Sequence, residues 1–148
     1  MVERGIQVDL TFWPLVVQRV GTTFLVEDMH AYIKELDALM ARRDRFASVV
    51  LVKQKGTMDR AVIGMYGDWV KKNTVDMKNY YLGCAFVFPG EVFRFILSAI
   101  LLAAPAPVPH AVFGKAEEAR DWAGRKLVDA GIRVPRVSVE QMWAETLS

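Results

Sequence analysis

The stretch that decides the fold runs from Tyr81 to Phe113 and reads YLGCAFVFPGEVFRFILSAILLAAPAPVPHAVF. Its first part, Leu82 to Phe88, is almost continuously apolar, which is typical of a strand buried on both faces of a sheet. A Pro-Gly pair interrupts the run, and Glu91 to Ala104 is then apolar on nearly every side of a helix. Prolines end that helix, and Ala111 to Phe113 begins another short strand. A strand, a helix and a strand within about 30 residues predict a βαβ unit.

The residues before and after this unit predict further strands and helices. Alternating apolar residues from Ile6 to Phe12 predict an edge strand, and Leu15 to Val20 predicts a second strand that pairs with it as a hairpin. Three amphipathic helices and one more strand follow from the spacing of apolar residues. The helices are predicted over Leu25 to Arg43, Met58 to about Asn73 and Lys115 to Gly131, and the strand over Phe46 to Val52. We therefore expect an α/β fold with a mostly parallel sheet of four or five strands and about four helices.

The chain of 148 residues favours one domain, residues 1–131, followed by an extension, residues 132–148. Ser138 and Gln141 match a capping box at the start of a short helix. The apolar residues of this helical tail are Val139, Met142, Trp143 and Leu147. Two interpretations stay open: the tail covers the chain's own core, or it docks into a partner or a second copy of the chain.

Composition limits the classes of function. The net charge of +2 is too small to predict a polyanionic partner, so no nucleic acid is expected. The N-terminus lacks a signal-peptide pattern, and the longest apolar helix is too short to span a bilayer. The single cysteine, Cys84, lies in the apolar strand, where a buried and unreactive thiol is expected. These features predict a soluble cytoplasmic protein without integral membrane association.

Three short stretches resemble a known superfamily: AFVFP at Ala85 to Pro89, PHAVF at Pro109 to Phe113 and EARDWA at Glu118 to Ala123. A strand ending in Ala-Val-Phe and a helix with an Ala-x-x-Trp pair resemble the C-terminal part of the STAS-like (SpoIIAA-like) domain. The likeness is to its bacterial stand-alone, SEC14-type members and covers about residues 6 to 131. It implies a layered β/α domain that binds partner proteins, as the antagonists of anti-sigma factors do, or holds small apolar ligands or nucleotides. Members are not usually enzymes.

The family's phosphorylated serine follows an aspartate at the start of the second helix. The corresponding loop here, Lys53 to Ala61, has no serine, and Thr57 is its only hydroxyl side chain. A phosphate on Thr57 would lie at a helix N-terminus beside Lys55 and Arg60, which favours a negative charge. The alternative interpretation is that Thr57 caps the helix.

No pattern of residues predicts a catalytic, metal or cofactor site. Metal-ligand spacings such as HExxH and CxxC are absent from the sequence, so no cofactor is expected. His30 is expected on a solvated helix face, and His110 either bonds to nearby backbone carbonyls or lines a cleft. Gly64 and Gly67 lie inside a predicted helix, where small residues permit close packing. A non-enzymatic protein is therefore expected.

The Glu91 to Ala104 helix carries apolar residues outside the stripe of about 100° that one sheet face needs. The tail could cover them, or they could form a homodimer interface, a groove for a partner or the wall of a ligand pocket. The residues assigned to an interface are Phe93, Ile96, Leu97, Ile100, Leu101, Val139, Met142, Trp143 and Leu147.

The sequence thus predicts a regulatory or scaffold module that acts through contact with another protein or with itself. The alternative is a carrier or sensor of a small apolar, lipid-like ligand. Its pocket would lie between the sheet and the helices and be lined by Phe86, Phe93, Ile96, Trp122 and His110.

Overall fold

The computed structural model describes residues 4–53, 57–88, 90–91 and 107–144, with the backbone alone at residues 57 and 58. The strands in this part of the chain are β1 (Ile6–Asp9), β2 (Leu15–Val20), β3 (Thr23–Phe24), β4 (Phe46–Val52), β5 (Thr57–Met58), β6 (Tyr81–Val87) and β7 (His110–Phe113). The helices are α1 (Val26–Ala41), α2 (Arg60–Tyr80), α3 (Ala116–Asp129) and α4 (Val139–Trp143).

Five strands form one sheet in the order β1-β2-β4-β6-β7, and β3 pairs with β5 in a separate two-stranded sheet. β1 and β2 are antiparallel, whereas every other neighbouring pair is parallel. Val17 lies beside Val49, Val49 beside Ala85 and Ala85 beside Ala111, so these side chains share one face. The predicted α/β class and the mostly parallel five-stranded sheet are confirmed.

The first core fills the space between one face of the sheet and the helices α1 and α2. Successive residues of a strand point to opposite faces, so Val16 faces this core while its neighbours Leu15 and Val17 face away from it. Large side chains dominate here. The buried aromatic residues of the first core are Phe24, Tyr32, Phe46, Trp69 and Tyr81.

The second core lies on the opposite face of the sheet, under α3 and α4. Small side chains dominate here, because alanines from the strands meet alanines from α3. The second core consists of Leu15, Val17, Ala47, Val49, Leu51, Ala85, Val87, Ala116, Ala119, Ala123, Leu127, Val137 and Met142. Gly131, with φ of 76°, ends α3 as predicted, since its N–H bonds to the Val128 carbonyl at 2.9 Å.

Helix α2 differs from its prediction at both ends. It begins at Arg60 because the Asp59 carboxylate accepts the Ala61 N–H at 3.0 Å, so Asp59 is the cap and Thr57 lies two residues further out, in β5. The helix continues to Tyr80, where a polar connection was expected. Asn73 and Thr74 do not end it, since their side chains bond to carbonyls of the preceding turn, both at 2.8 Å.

The helix predicted over Glu91 to Ala104 lies outside the described residues, apart from Glu91 itself. Its assigned interface residues therefore stay predictions, as does Leu147 in the tail. These residues are Phe93, Ile96, Leu97, Ile100 and Leu101.

Candidate functional site

The tail packs on the chain's own second core. Its predicted capping box is present: the Ser138 hydroxyl oxygen accepts the Gln141 N–H at 3.0 Å, and the Gln141 side-chain oxygen accepts the Ser138 N–H at 2.9 Å. Met142 is 0% exposed, and Val139 and Trp143 are half-buried against the same core. The burial of Met142 contradicts its assignment to an interface, because its side chain fills the second core.

A buried arginine fixes the tail to the sheet. Arg19 of β2 is 4% exposed. Its Nε donates to the Met142 carbonyl at 2.7 Å, and its Nη2 donates to the Gln141 carbonyl at 3.1 Å. Nη1 lies 3.0 Å from the Asp9 carboxylate and donates to the Gln7 side-chain oxygen at 3.0 Å. We call this set of contacts the tail latch; the sequence analysis missed it, although a charged residue inside the apolar run LVVQRV was its signal.

Asp9 is the charged partner inside the tail latch. Burial raises the pKa of its carboxyl, but hydrogen bonds from Thr11 and Arg19, together with the Arg19 charge, outweigh burial and leave the pKa below its ordinary value. The Thr11 N–H lies 2.9 Å from the carboxylate. Asp9 is therefore ionised at neutral pH, and the buried arginine is matched by an opposite charge.

Helix α3 lies close against the sheet because the contacting residues are small. A Cβ built on Gly83 would meet the Trp122 ring and the Lys126 side chain at 3.0 Å. On the outer side of α3, a Cβ on Gly124 would meet Val134 at 3.3 Å. Glycine thus permits two close approaches, one of α3 to the sheet and one of the extended segment 132–137 to α3.

An open groove of about 530 Å³ lies between α3 and residues 134–137. Its apolar lining is Gly124, Val128, Val134, Pro135 and Val137, and its charged lining is Arg120, Asp121, Arg125 and Arg136. Val128 is 59% exposed, although it lies among these apolar neighbours. We call this feature the arginine groove.

The charges of the arginine groove are unequally matched. Arg120 lies 3.1 Å from the Asp121 carboxylate and donates to the Val137 carbonyl at 3.0 Å. Arg125 and Arg136 are exposed, and neither forms an ion pair within the described part of the chain. The groove therefore presents two unmatched guanidinium groups beside an apolar floor. Sequence reasoning missed it, because its walls come from two separate segments.

A second, smaller cleft of about 330 Å³ lies where three parallel strands end. It is lined by Val52, Lys53, Val87, Gly114 and Trp143. In open parallel sheets, ligands commonly bind outside the carboxyl ends of the strands. The tail residue Trp143 forms part of this cleft.

The residues predicted to line one ligand pocket lie on both faces of the sheet. Phe86 contacts the first core, and His110 shares its face because it lies beside the buried Cys84 in the register of β6 and β7. Trp122 projects from α3 onto the opposite face, with its ring centroid 6.2 Å from that of Phe113. These three side chains cannot line a common pocket, because the sheet lies between Trp122 and the other two. His110 Nδ1 lies 3.2 Å from the Val108 carbonyl, which is one of its two predicted roles.

Buried polar side chains in the first core bond to one another. The Tyr32 hydroxyl donates to Gln18, whose side-chain nitrogen lies 3.5 Å from the Tyr81 hydroxyl; Ser48 bonds to Tyr81 and lies 3.5 Å from the Cys84 sulfur. Burial raises the pKa of the Cys84 thiol, so the thiol is protonated at neutral pH and a poor nucleophile, as predicted. Burial also raises the pKa of both tyrosines well above their ordinary value. Every buried side-chain nitrogen and oxygen in the described residues has a partner.

The remaining predicted residues line neither the arginine groove nor the cleft at the strand ends. The Thr57 backbone pairs with Thr23 in the two-stranded sheet. A Cβ on Gly64 or Gly67 would meet nothing within 4 Å, so the prediction that these glycines permit close packing is wrong for the described structure. Within the described residues, no three His, Cys, Asp or Glu side chains gather as metal ligands would, and no helix has the length and apolarity needed to cross a membrane.

Comparison with solved structures decides the fold. The chain superposes with a TM-score of 0.62 on an uncharacterised protein of the DUF3478 family from Shewanella loihica PV-4, which has a SpoIIAA-like fold. The match covers 80% of this chain and 93% of the other, at 14% sequence identity. This chain has a SpoIIAA-like fold. The predicted resemblance is confirmed at the level of fold, while no family model and no curated protein matches the sequence.

Proposed function

We propose that this protein is a non-enzymatic regulatory or scaffold module that acts through protein–protein contact, and that the arginine groove carries the contact. The observation that supports it is the pairing of exposed Val128 with two unmatched arginines, Arg125 and Arg136, along one groove. Arginine is enriched at protein interfaces, and the buried centre of an interface is apolar.

The partner in this proposal is another protein. The alternative partner is a second copy of the chain, and a measurement of stoichiometry distinguishes the two. The helix predicted over Glu91 to Ala104 remains a second candidate interface. We place the module in the bacterial cytoplasm, since a single buried free thiol, Cys84, suits a reducing compartment.

The test compares two matched substitutions of exposed apolar residues. Val128→Asp changes the groove, and Ile63→Asp changes an equally exposed residue of α2, 65% exposed against 59%. Each tagged variant is cross-linked in cells of the native host and its adducts are quantified by mass spectrometry. We expect one partner protein to be cross-linked to wild type and to Ile63→Asp in similar amounts. The amount cross-linked to Val128→Asp should be at least tenfold lower. Equal capture by all three proteins would overturn the assignment of the groove. Native mass spectrometry of the same samples reports whether the partner is a second copy.

The second candidate function is the binding of a small apolar ligand, and the cleft at the strand ends favours it. Val52, Val87 and Trp143 give this cleft apolar walls at the position where open parallel sheets bind ligands. Native mass spectrometry of freshly purified protein should then show a small adduct that Trp143→Ala reduces. A bare polypeptide mass for the wild type would contradict this function and leave the interaction module standing.

A further inference from the structure

We infer that the occupant of the arginine groove is an extended, acidic segment of a partner protein. The inference rests on the proposed function and specifies its partner. Three properties of the groove support it: its charge, its apolar floor and the free backbone along one wall.

The charge of the groove selects an anionic partner. Arg125 projects from the helical wall and Arg136 belongs to the extended wall, so the unmatched guanidinium groups come from both sides. The one acidic residue of the lining, Asp121, is already paired with Arg120. Guanidinium groups bind carboxylates through two parallel hydrogen bonds, so a partner with two carboxylates would match the two free arginines.

The apolar floor requires more than charge from the partner. Val128, Val134 and Val137 contribute to this floor, and none of them carries a polar side chain. An apolar side chain placed over Val128 would remove its exposed surface from water. The matching segment therefore carries an apolar residue between acidic ones.

The extended wall offers backbone groups to the partner. At its two ends the backbone is used within the chain: the Ile132 N–H bonds to the Leu127 carbonyl at 2.9 Å, and the Val137 carbonyl accepts from Arg120. Between them, Arg133 to Arg136 form no backbone hydrogen bond with the described residues. A peptide in extended conformation can pair with such a free strand-like segment, which favours a peptide over a compact small molecule.

The experiment measures binding of fluorescent eight-residue peptides to the full chain by anisotropy. One peptide alternates glutamate and valine, a second alternates serine and valine, and a third alternates lysine and valine. The proteins are wild type, the groove variant Arg125→Glu with Arg136→Glu, and the control variant Lys34→Glu with Lys71→Glu. The control changes net charge equally on α1 and α2, which cover the opposite face of the sheet.

We expect the glutamate peptide to bind wild type at least tenfold more tightly than the serine peptide, and the lysine peptide not to bind. The groove variant should lose at least tenfold in affinity for the glutamate peptide, whereas the control should lose less than threefold. Backbone amide shifts of Gly124, Val128 and Val134 on addition of the peptide would place it in the groove.

Three results would overturn the inference. Equal weakening by groove and control variants would mean unspecific attraction to positive charge. Dodecanoate serves as a small amphipathic anion for comparison. If it bound with shifts at the same amides while none of the peptides bound, the groove would be a site for such an anion. Equal binding of the serine and glutamate peptides, both lost in Val128→Asp, would reject the acidic segment while the groove remains a protein contact. Failure of the proposed function itself shows separately, as unchanged capture by Val128→Asp in cells.

Discussion

In the described part of the chain, the first face of the sheet is covered by two long helices and aromatic side chains, whereas the second face is covered by α3, small side chains and the tail. Both α1 and α2 belong to connections between parallel strands, so the fold itself places them over the first core. In the described residues the second face is covered by α3, which follows the last strand, and by α4, whose Met142 fills the second core. The difference teaches that the face covered by α3 and the tail is where the chain uses a buried ion pair, and that an open groove lies beside the helix that covers it.

The largest expected effect comes from Arg19→Ala, which tests whether the tail latch stabilises the second face of the sheet. It leaves the Asp9 carboxylate and the carbonyls of Gln141 and Met142 without their buried donor. We expect a loss of about 3 to 5 kcal/mol in the free energy of unfolding, measured by urea titration. Arg43→Ala is the control, because its pair with Asp76 is exposed and 3.8 Å long, and it should cost less than about 0.5 kcal/mol. Similar losses in the two variants would mean that the tail latch does not hold the second face together.

The next effect concerns the close approach of α3 to the sheet. Gly83→Val should destabilise the protein by about 1 to 3 kcal/mol, because Trp122 and Lys126 already lie 3.0 Å from the position of a Cβ. Tryptophan fluorescence and urea unfolding measure the change. A Gly83→Val variant as stable as wild type would show that α3 can move away freely and that small residues are not required on this face.

The dependence of stability on pH tests whether the ionised Asp9 carboxylate stabilises the second face. The folded-state pKa of Asp9 is lowered, so its ionised form contributes stability above its unfolded value of about 3.9, and that contribution is lost as the pH falls through the folded value. We expect Asp9→Asn to be less stable than wild type at pH 7, by less than Arg19→Ala, and the gap to close below about pH 4. Urea titrations from pH 7 to pH 2 test this, and a gap of constant size would contradict it.

The smallest expected effect lies on the outer side of α2, above the first core. Gly64→Ala and Gly67→Ala should each raise stability by up to about 1 kcal/mol, since an added Cβ meets none of the described residues within 4 Å and alanine favours the helix. Thermal unfolding measures the gain. A loss of stability in either variant would show that this side of α2 is also a packed surface.

How far the sequence predicted the structure depended on whether the deciding contacts were local. Strand β4 was predicted from Phe46 to Val52, as observed, because an apolar run between charged residues marks both of its ends. The start of α2 was misplaced by two residues, because a threonine and an aspartate can both cap a helix and only the geometry selected Asp59.

The tail latch and the arginine groove could not be predicted in the same way. Arg19 bonds to a carbonyl 123 residues away, and no periodicity of the sequence records that contact. Arg125 and Arg136 are unremarkable as single charges; they gain meaning because Gly124 lets Val134 approach α3 and closes one side of the groove. The pocket assignment failed for a related reason, since a register was needed to tell that Phe86 and Trp122 lie on opposite faces.

The tail latch also imposes an order on folding during synthesis. At about 5 to 20 residues per second, the strand bearing Arg19 is synthesised well before the carbonyls of residues 141 and 142 exist. Until then, burial of Arg19 would leave two of its donors unmatched, which is costly. The part of the second face under α4 therefore closes last, and a nascent chain that stalls before residue 141 keeps that part open, where chaperones and proteases can recognise it.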